Sequence, residues 1–219
     1  MKVKSFTVNP FFENTYIVHD ETRAALIDPG FSGAAERAAA VDYLRQNGLE
    51  LERLLLTHAH IDHIIDCAYW ADTHGMQFDM HEADLPLLKN ARQQALIFGV
   101  EMHDPPLPTS FLSDGDVIAI GDSSWRVIEA PGHSPGSICF YEEDAATLIG
   151  GDVLFAGSIG RTDLWRGSFD VLIESIKTRI LTLPDETVVY TGHGEQTTVG
   201  RERTTNPFLL ATRDEGQSD

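Results

Sequence analysis

Apolar positions in this chain alternate over short stretches and cluster in others, which divides it into strands and helices joined by brief connections. Val3 to Val8 and Tyr16 to His19 read as paired strands about an Asn9-Pro10 turn, and Ala24 to Asp28 reads as a third, ended by Asp28-Pro29-Gly30. Gly33 to Asn47 carries an apolar stripe of Ala35, Ala38, Val41, Tyr43 and Leu44 and is predicted to be a helix, with Ser32 as its N-cap and Gly48 just past its end. Arg53 to Leu56 is a compact apolar run, predicted to be a buried strand, and Ile64 to Gly75 is predicted to be a helix. A short strand over Gln77 to Met80 and a helical stretch over Glu82 to Phe98 complete the first half.

Asp104-Pro105-Pro106-Leu107-Pro108 cannot be helical and is expected to form a rigid connection between the two halves. Strands resume at Val117 to Ile120, Ser124 to Glu129, Ser137 to Tyr141 and Thr147 to Ile149; an amphipathic helix over Phe169 to Leu181 and a last strand over Thr187 to Tyr190 follow. Each half is a run of strands closed by a helix and one more strand, which predicts two sheets packed together with helices outside. No internal repeat is visible. A single domain is expected over residues 1–210, and the polar residues 211–219 are expected to form a disordered tail.

Composition narrows the functional classes. The 219 residues include 42% hydrophobic and 23% charged positions, as expected of a globular chain with a substantial core. Sixteen Lys and Arg against 34 Asp and Glu give a formal charge of -18, which argues against a nucleic-acid partner and against an anionic membrane surface. The first residues, Met1-Lys2-Val3-Lys4-Ser5, lead into a strand pattern rather than an apolar leader, and no run reaches the roughly twenty apolar residues of a membrane helix, so a cytoplasmic protein is expected. Cys67 and Cys139 are too few for a disulfide framework; both are expected to be reduced, with Cys139 a small core residue.

The chemistry centres on Thr57-His58-Ala59-His60-Ile61-Asp62-His63, on the turn between a predicted strand and helix. With the chain still extended at His58 and His60, a spacing of two puts both imidazoles on one side, within reach of one metal ion. The turn then re-aims Asp62 and His63 toward a second ion. Three further polar sites lie at predicted strand ends: His133 in Ala130-Pro131-Gly132-His133-Ser134-Pro135-Gly136, Asp152 in Gly150-Gly151-Asp152, and His193 in Thr191-Gly192-His193-Gly194. Together they make seven candidate ligands. His19, His74, His81 and His103 fall outside these motifs and read as structural or surface residues, and Asp66 and Cys67 read as surface or capping residues more readily than as partners of a ligating histidine.

The Thr-His-x-His-x-Asp-His stretch resembles the signature of the metallo-β-lactamase fold superfamily, and more narrowly of its glyoxalase II-like hydrolases. The closing stretches Gly192-His193-Gly194-Glu195, Thr198-Val199-Gly200 and Glu202-Arg203-Thr204-Thr205-Asn206-Pro207 are similar to the short bacterial members. The resemblance implies an α+β fold, a four-layer αββα sandwich with the metal site along one edge. It also implies that His58, His60 and His133 hold one metal, that Asp62, His63 and His193 hold the other, and that Asp152 bridges them, with Asp62 and Asp152 as the catalytic carboxylates. Two divalent ions, zinc, iron or manganese, suit such imidazole and carboxylate donors. A metal-bound water with its pKa lowered to about 7 supplies hydroxide at neutral pH, and a second ion polarises the carbonyl under attack. The implied reaction is hydrolysis of a small-molecule thioester, S-D-lactoylglutathione or a related hydroxyacylglutathione, with Arg161 as the substrate contact; pairing of Arg161 with Asp163 is the structural alternative. Two departures stand out: Ile65 and Asp66 replace the glycine or alanine common in relatives, and the chain stops soon after Leu210, short of the C-terminal helical region of full-size glyoxalase II. Gly160-Arg161-Thr162-Asp163-Leu164 is also similar to a stretch in persulfide dioxygenases, which makes oxidation of glutathione persulfide at a single iron the alternative reaction.

Overall fold

The computed structural model describes the backbone of residues 1–214 and side chains through Ala211. Five strands form the first sheet: β1 (Lys2–Val8), β2 (Glu13–His19), β3 (Arg23–Ile27), β4 (Glu50–Leu55) and β5 (Phe78–Asp79), hydrogen-bonded in that order. In the second half come β6 (Val117–Ile120), β7 (Ser123–Glu129), β8 (Ile138–Glu142), β9 (Thr147–Gly151), a small hairpin of β10 (Leu154–Phe155) and β11 (Ser158–Ile159), then β12 (Val188–Thr191) and β13 (Thr197–Thr198). The second sheet has the order β13-β12-β9-β8-β7-β6.

Side-chain alternation explains the layers, because successive residues of a strand face opposite sides of its sheet. Tyr16, Val18, Ala25, Ile27 and Leu55 face Trp125, Val127, Phe140 and Ile149 across the middle of the sandwich. Their neighbours Ile17, Leu26 and Leu54 point outward instead and pack with Phe31, Leu44, Trp70 and Leu88. On the far side, Ile128, Cys139, Tyr141 and Leu148 pack against Leu172, Ile176 and Ile180. The result is the expected four-layer αββα sandwich.

Local chemistry shifts several helix boundaries from those predicted. Helix α1 (Ala34–Gln46) begins after Gly33, and Ser32 does not cap it. Instead Glu36 reaches back, and its carboxylate accepts the backbone N–H of Ser32 at 2.6 Å and of Asn9 at 3.1 Å. The helix predicted over Ile64 to Gly75 is two short ones, α2 (Ile61–Ile64) and α3 (Cys67–His74), so Asp62 and His63 already belong to a helical turn. Glu82 to Phe98 is likewise divided into a 3₁₀ turn (Glu82–Asp84), α4 (Leu85–Lys89) and α5 (Ala91–Phe98), interrupted at Asn90, whose side chain bonds Pro86 O at 2.7 Å. Helix α6 (Phe169–Ser175), capped by Ser168, runs on into a π turn over Ile176–Ile180. Helix α7 (Val199–Thr205) is followed by α8 (Pro207–Asp214), which passes the boundary expected at residue 210; the remainder of the expected tail, 215–219, lies outside the described residues. Among the described residues no helix is long and apolar enough to cross a membrane.

Strand direction builds the site. Strands β9 and β12 run parallel, and β7 runs the same way because each is antiparallel to β8 or parallel to β9. The segments that follow β7, β9 and β12, carrying His133, Asp152 and His193, therefore leave one edge of the second sheet together. Strands β3 and β4 are parallel in the first sheet and deliver Asp28 and the His58 segment. A bond from Ile138 N to Thr57 O, 2.9 Å, joins the two sheets beside that edge.

Candidate metal centre

All seven predicted donors meet at this edge. His60 Nδ1 lies 2.8 Å from His133 Nε2, which lies 3.1 Å from His58 Nε2. His193 Nε2 is 3.1 Å and His63 Nε2 3.8 Å from Asp62 Oδ2. Asp152 sits between the groups, its Oδ1 3.4 Å from His63 Nε2 and its Oδ2 3.5 Å from both His133 Nε2 and His193 Nε2. Each trio, His58 with His60 and His133, and Asp62 with His63 and His193, has its donor atoms within 4.8 Å of one another.

The atoms on the far side of the rings explain why the near side is free. The ring N–H of His133 Nδ1 donates to Arg161 O at 2.7 Å, and that of His193 Nδ1 to Phe11 O at 3.1 Å. His63 Nδ1 donates to Asp28 Oδ2 at 3.0 Å. Thr57 spends its hydroxyl proton on Asp28 Oδ2 at 2.6 Å, so its oxygen accepts from His58 Nδ1 at 3.1 Å. In all four rings Nδ1 is engaged on the far side, so Nε2 is the nitrogen turned to the cluster, the arrangement by which outer partners fix a metal ligand. His60 alone presents Nδ1.

Electrostatics divides the donors in two. Burial, reinforced by the neighbouring imidazoles, drives the pKa of His58 far down and that of His60 to about 3, so both are neutral and ready to coordinate. Burial opposes charge on His63 and His193 too, but Asp62 and Asp152 outweigh it, holding His63 well above its usual range and His193 at about 10. The same histidines hold Asp152 well down and Asp62 below the ordinary carboxylate range, against burial. The fit to a metal rests on His63 Nε2 and Asp152 Oδ1, which are buried 3.4 Å apart, facing each other's charge with no hydrogen-bond partner. The crowding of His60 Nδ1 and His58 Nε2 on His133 Nε2, with His60 Nε2 buried and without a hydrogen-bond partner, poses the same need. Two divalent cations meet it, and with Cys67 and Cys139 buried outside both trios no thiolate selects among zinc, iron and manganese.

Other expectations resolve differently. The Arg161 guanidinium is not in the cluster: it forms a two-point pair with Asp163 at 2.7 Å for each bond, while its backbone carbonyl orients His133. Asp66 is neither exposed nor bound to a ligating histidine; it is buried in a two-point pair with Arg37, whose guanidinium lies 3.6 Å over the Tyr69 ring. Ile65 and Asp66 line a groove of about 770 Å³ whose wall includes Leu96 and Arg92. His19 is buried and bonded to Tyr43 at 2.8 Å, and His74 stacks on Trp70. Sequence reasoning missed Asp28, Glu13 and Asp84. All three are buried carboxylates beside the ligand segments, and Asp28 read only as part of a turn. Asp28 holds a backbone φ of 52°, a left-handed conformation that aspartate tolerates better than most residues.

Comparison with known proteins agrees with this geometry. A profile of the metallo-beta-lactamase superfamily matches residues 8–193. The chain belongs to that superfamily. It is similar to the hydroxyacylglutathione hydrolase GloC of Haemophilus influenzae, 37% identical over 212 residues that span 95% of this chain and 98% of the relative. Among solved structures it is similar to the protein TTHA1623 in a di-iron-bound form, 40% identical with a TM-score of 0.84 over 94% of this chain and all of that one. It is also similar to the BLEG-1 B3 metallo-beta-lactamase, 34% identical with a TM-score of 0.86 over 95% of this chain and 99% of that one. As a member of the superfamily with a donor cluster for two divalent ions, the protein is a metallo-hydrolase.

Proposed function

We propose that this metallo-hydrolase cleaves a thioester of the hydroxyacylglutathione class into a free thiol and a hydroxy acid. The observation that carries the reading is the convergence of seven donors with Asp152 between two groups of three. In this reading His58, His60 and His133 hold one ion, Asp62, His63 and His193 the other, and Asp152 both. When bound, the ions supply hydroxide at neutral pH and polarise the carbonyl under attack. The chain's own part is to hold five ring nitrogens inward and to place Asp62 and Asp152 beside the reacting groups. Two dipositive ions, two carboxylates and one hydroxide sum to about +1, a local positive centre that suits an anionic substrate. The protein's charge of -18 opposes this weakly, because fields in physiological salt decay over about 8 Å. Likeness to a hydroxyacylglutathione hydrolase over nearly the whole of both chains supports a glutathione-linked substrate. Arg161, 59% exposed at the side chain, can exchange its Asp163 partner for a substrate carboxylate without releasing His133, which its backbone holds.

Metal analysis, thiol release from S-D-lactoylglutathione and oxygen uptake with glutathione persulfide, run on one preparation, test the proposal. Two metals per chain with thiol release are expected. One iron with oxygen uptake would transfer the protein to the dioxygenases, and turnover of a β-lactam alone would make the thioester reading wrong. Asp152→Ala is expected to abolish thiol release; retained turnover would rule out its position between the two ions.

A further inference from the structure

Asp84 ends the 3₁₀ turn that precedes α4, far in sequence from every proposed ligand, and is fully buried. Its Oδ2 accepts the backbone N–H of Ala59 at 3.0 Å, and Ala59 stands between His58 and His60. The same oxygen accepts the hydroxyl of Ser134 at 2.8 Å, and Oδ1 accepts the N–H of Gly136 at 2.6 Å; both lie in the segment that carries His133. One carboxylate thus clasps the two stretches that supply the first group of donors. A side chain on Gly136 would press on the Asp84 backbone, so the segments approach as closely as they do only because that position is glycine. The turn itself is fixed by His81, whose Nδ1 accepts the N–H of Ala83 at 3.1 Å and whose Nε2 lies 3.1 Å from Glu129.

We infer that Asp84 is a positioning residue that sets the separation of His58 and His60 from His133 and so fixes the affinity of the first metal site without touching the metal. The inference rests on the two-metal reading above. Beyond Ala59, no bond among the described residues runs from Asp84 into the helical turn that carries Asp62 and His63 or to the segment of His193, whereas two reach the His133 segment, so its effect falls mainly on the first group. Asparagine at this position keeps the size but not the function: one of its two ends is an N–H donor facing Ala59 N–H or Gly136 N–H, and a buried donor pair pushes the segments apart.

Two single-site backgrounds test this. His193→Ala leaves the first group complete, and His133→Ala leaves the second. Zinc content after equilibrium dialysis against a series of zinc buffers gives the affinity of each, and the thermal midpoint of the metal-free protein records any general loss of stability. Adding Asp84→Asn is expected to weaken zinc in the His193→Ala background by roughly 10–100-fold, the usual effect of removing a group that orients ligands. In the His133→Ala background it is expected to cost less than about threefold, because only the Ala59 bond bears on that group. Equal losses in both backgrounds, or none in either, would overturn the inference. Should Asp84→Asn fail to fold, Ser134→Ala removes one of the three donors and is expected to give a smaller loss confined to the same background; an equal loss in both would again overturn it. Wild-type protein that takes up no zinc would remove the metal reading, and this inference with it.

Discussion

Thr15 has one hydroxyl proton and two oxygens within its reach, the carbonyl of Asp28 at 2.7 Å and Glu13 Oε2 at 2.9 Å. A carbonyl can only accept. If the proton goes there, the buried contact with Glu13 is favourable only when Glu13 brings a proton of its own, and burial does push its pKa well above the ordinary value. Burial thus favours the acid form of Glu13 behind His63, 3.7 Å from its Nδ1, while Asp28 accepts the hydrogen bond of that nitrogen. Glu13→Gln supplies an N–H in place of the acid proton and is expected to keep the thermal midpoint within about 2 °C. Glu13→Ala strands Thr15 and leaves a cavity, at a cost of about 1–3 kcal/mol, and is expected to lower the midpoint by several degrees in calorimetry. A large fall for Gln as well would show that Glu13 is ionised. Gly192 is constrained just as locally: a Cβ there would sit on Asp152 Oδ1, which is why the segment carrying His193 needs glycine before it.

At the scale of elements, the N-terminal hairpin is part of the site although it supplies no donor. Strand β2 approaches the segment after β12 with Asn14 N donating to Gly192 O at 2.8 Å, while its side chain donates to Thr191 O at 3.1 Å and Gly194 O at 2.9 Å. Tyr16 adds a bond to Thr191 O at 2.6 Å. Asn14→Ala removes a bond from each of two carbonyls flanking His193, of which Thr191 O keeps that of Tyr16, so zinc held by Asp62, His63 and His193 is expected to weaken several-fold while the first group keeps its affinity, as dialysis of the two single-site backgrounds would read; parallel losses at both would refute it. Asn14 shows where sequence reading stops. Strand positions, the four layers and the seven donors follow from periodicity and from glycine-flanked polar residues, because those signals are local. Asn14, Asp28 and Asp84 owe their roles to partners 25 or more positions away, and in sequence each is a plain residue near a strand, in a turn or in a helical stretch. Boundaries fail for the same reason: α1 starts after Gly33 without a side-chain cap, and Glu36 of its first turn reaches back to the N–H groups of Ser32 and the distant Asn9. The Glu202 to Pro207 stretch, read as a mark of the family, is a structural clasp in which Glu202 accepts from Gly157 N and Asn206 Nδ2, 2.8 and 2.9 Å, and Asn206 Nδ2 also reaches Ser158 O.

For the molecule as a whole, the donors come from both sheets, so bound metal links the two halves of the sandwich and should add to its stability. An ion held at about 1,000 times its Kd contributes about 4 kcal/mol, which for a chain of this size corresponds to about 8–16 °C in the thermal midpoint. Chelation is expected to lower the midpoint on that scale and zinc to restore it; an unchanged midpoint would mean the cluster folds as well without cations. In the metal-free protein, protons partly take the cations' place, and unequally. His58 and His60, with lowered pKa values, are already neutral at pH 7, whereas Asp62 and Asp152 keep His63 and His193 protonated. An ion entering the second group must displace those protons, so its affinity rises with pH and goes on rising toward pH of about 10, where His193 loses its proton unaided. The sign is fixed by the raised pKa: a group that holds its proton at neutral pH competes with the metal there, and loses the competition as pH climbs. Calorimetric titration of zinc into the His133→Ala protein, in two buffers of different ionisation heat, is expected to show up to two protons released per ion near pH 7 from the histidines of the second group. Zinc entering the His193→Ala protein is expected to show none from His58 or His60. Equal release from both would mean that the carboxylates do not divide the cluster in this way.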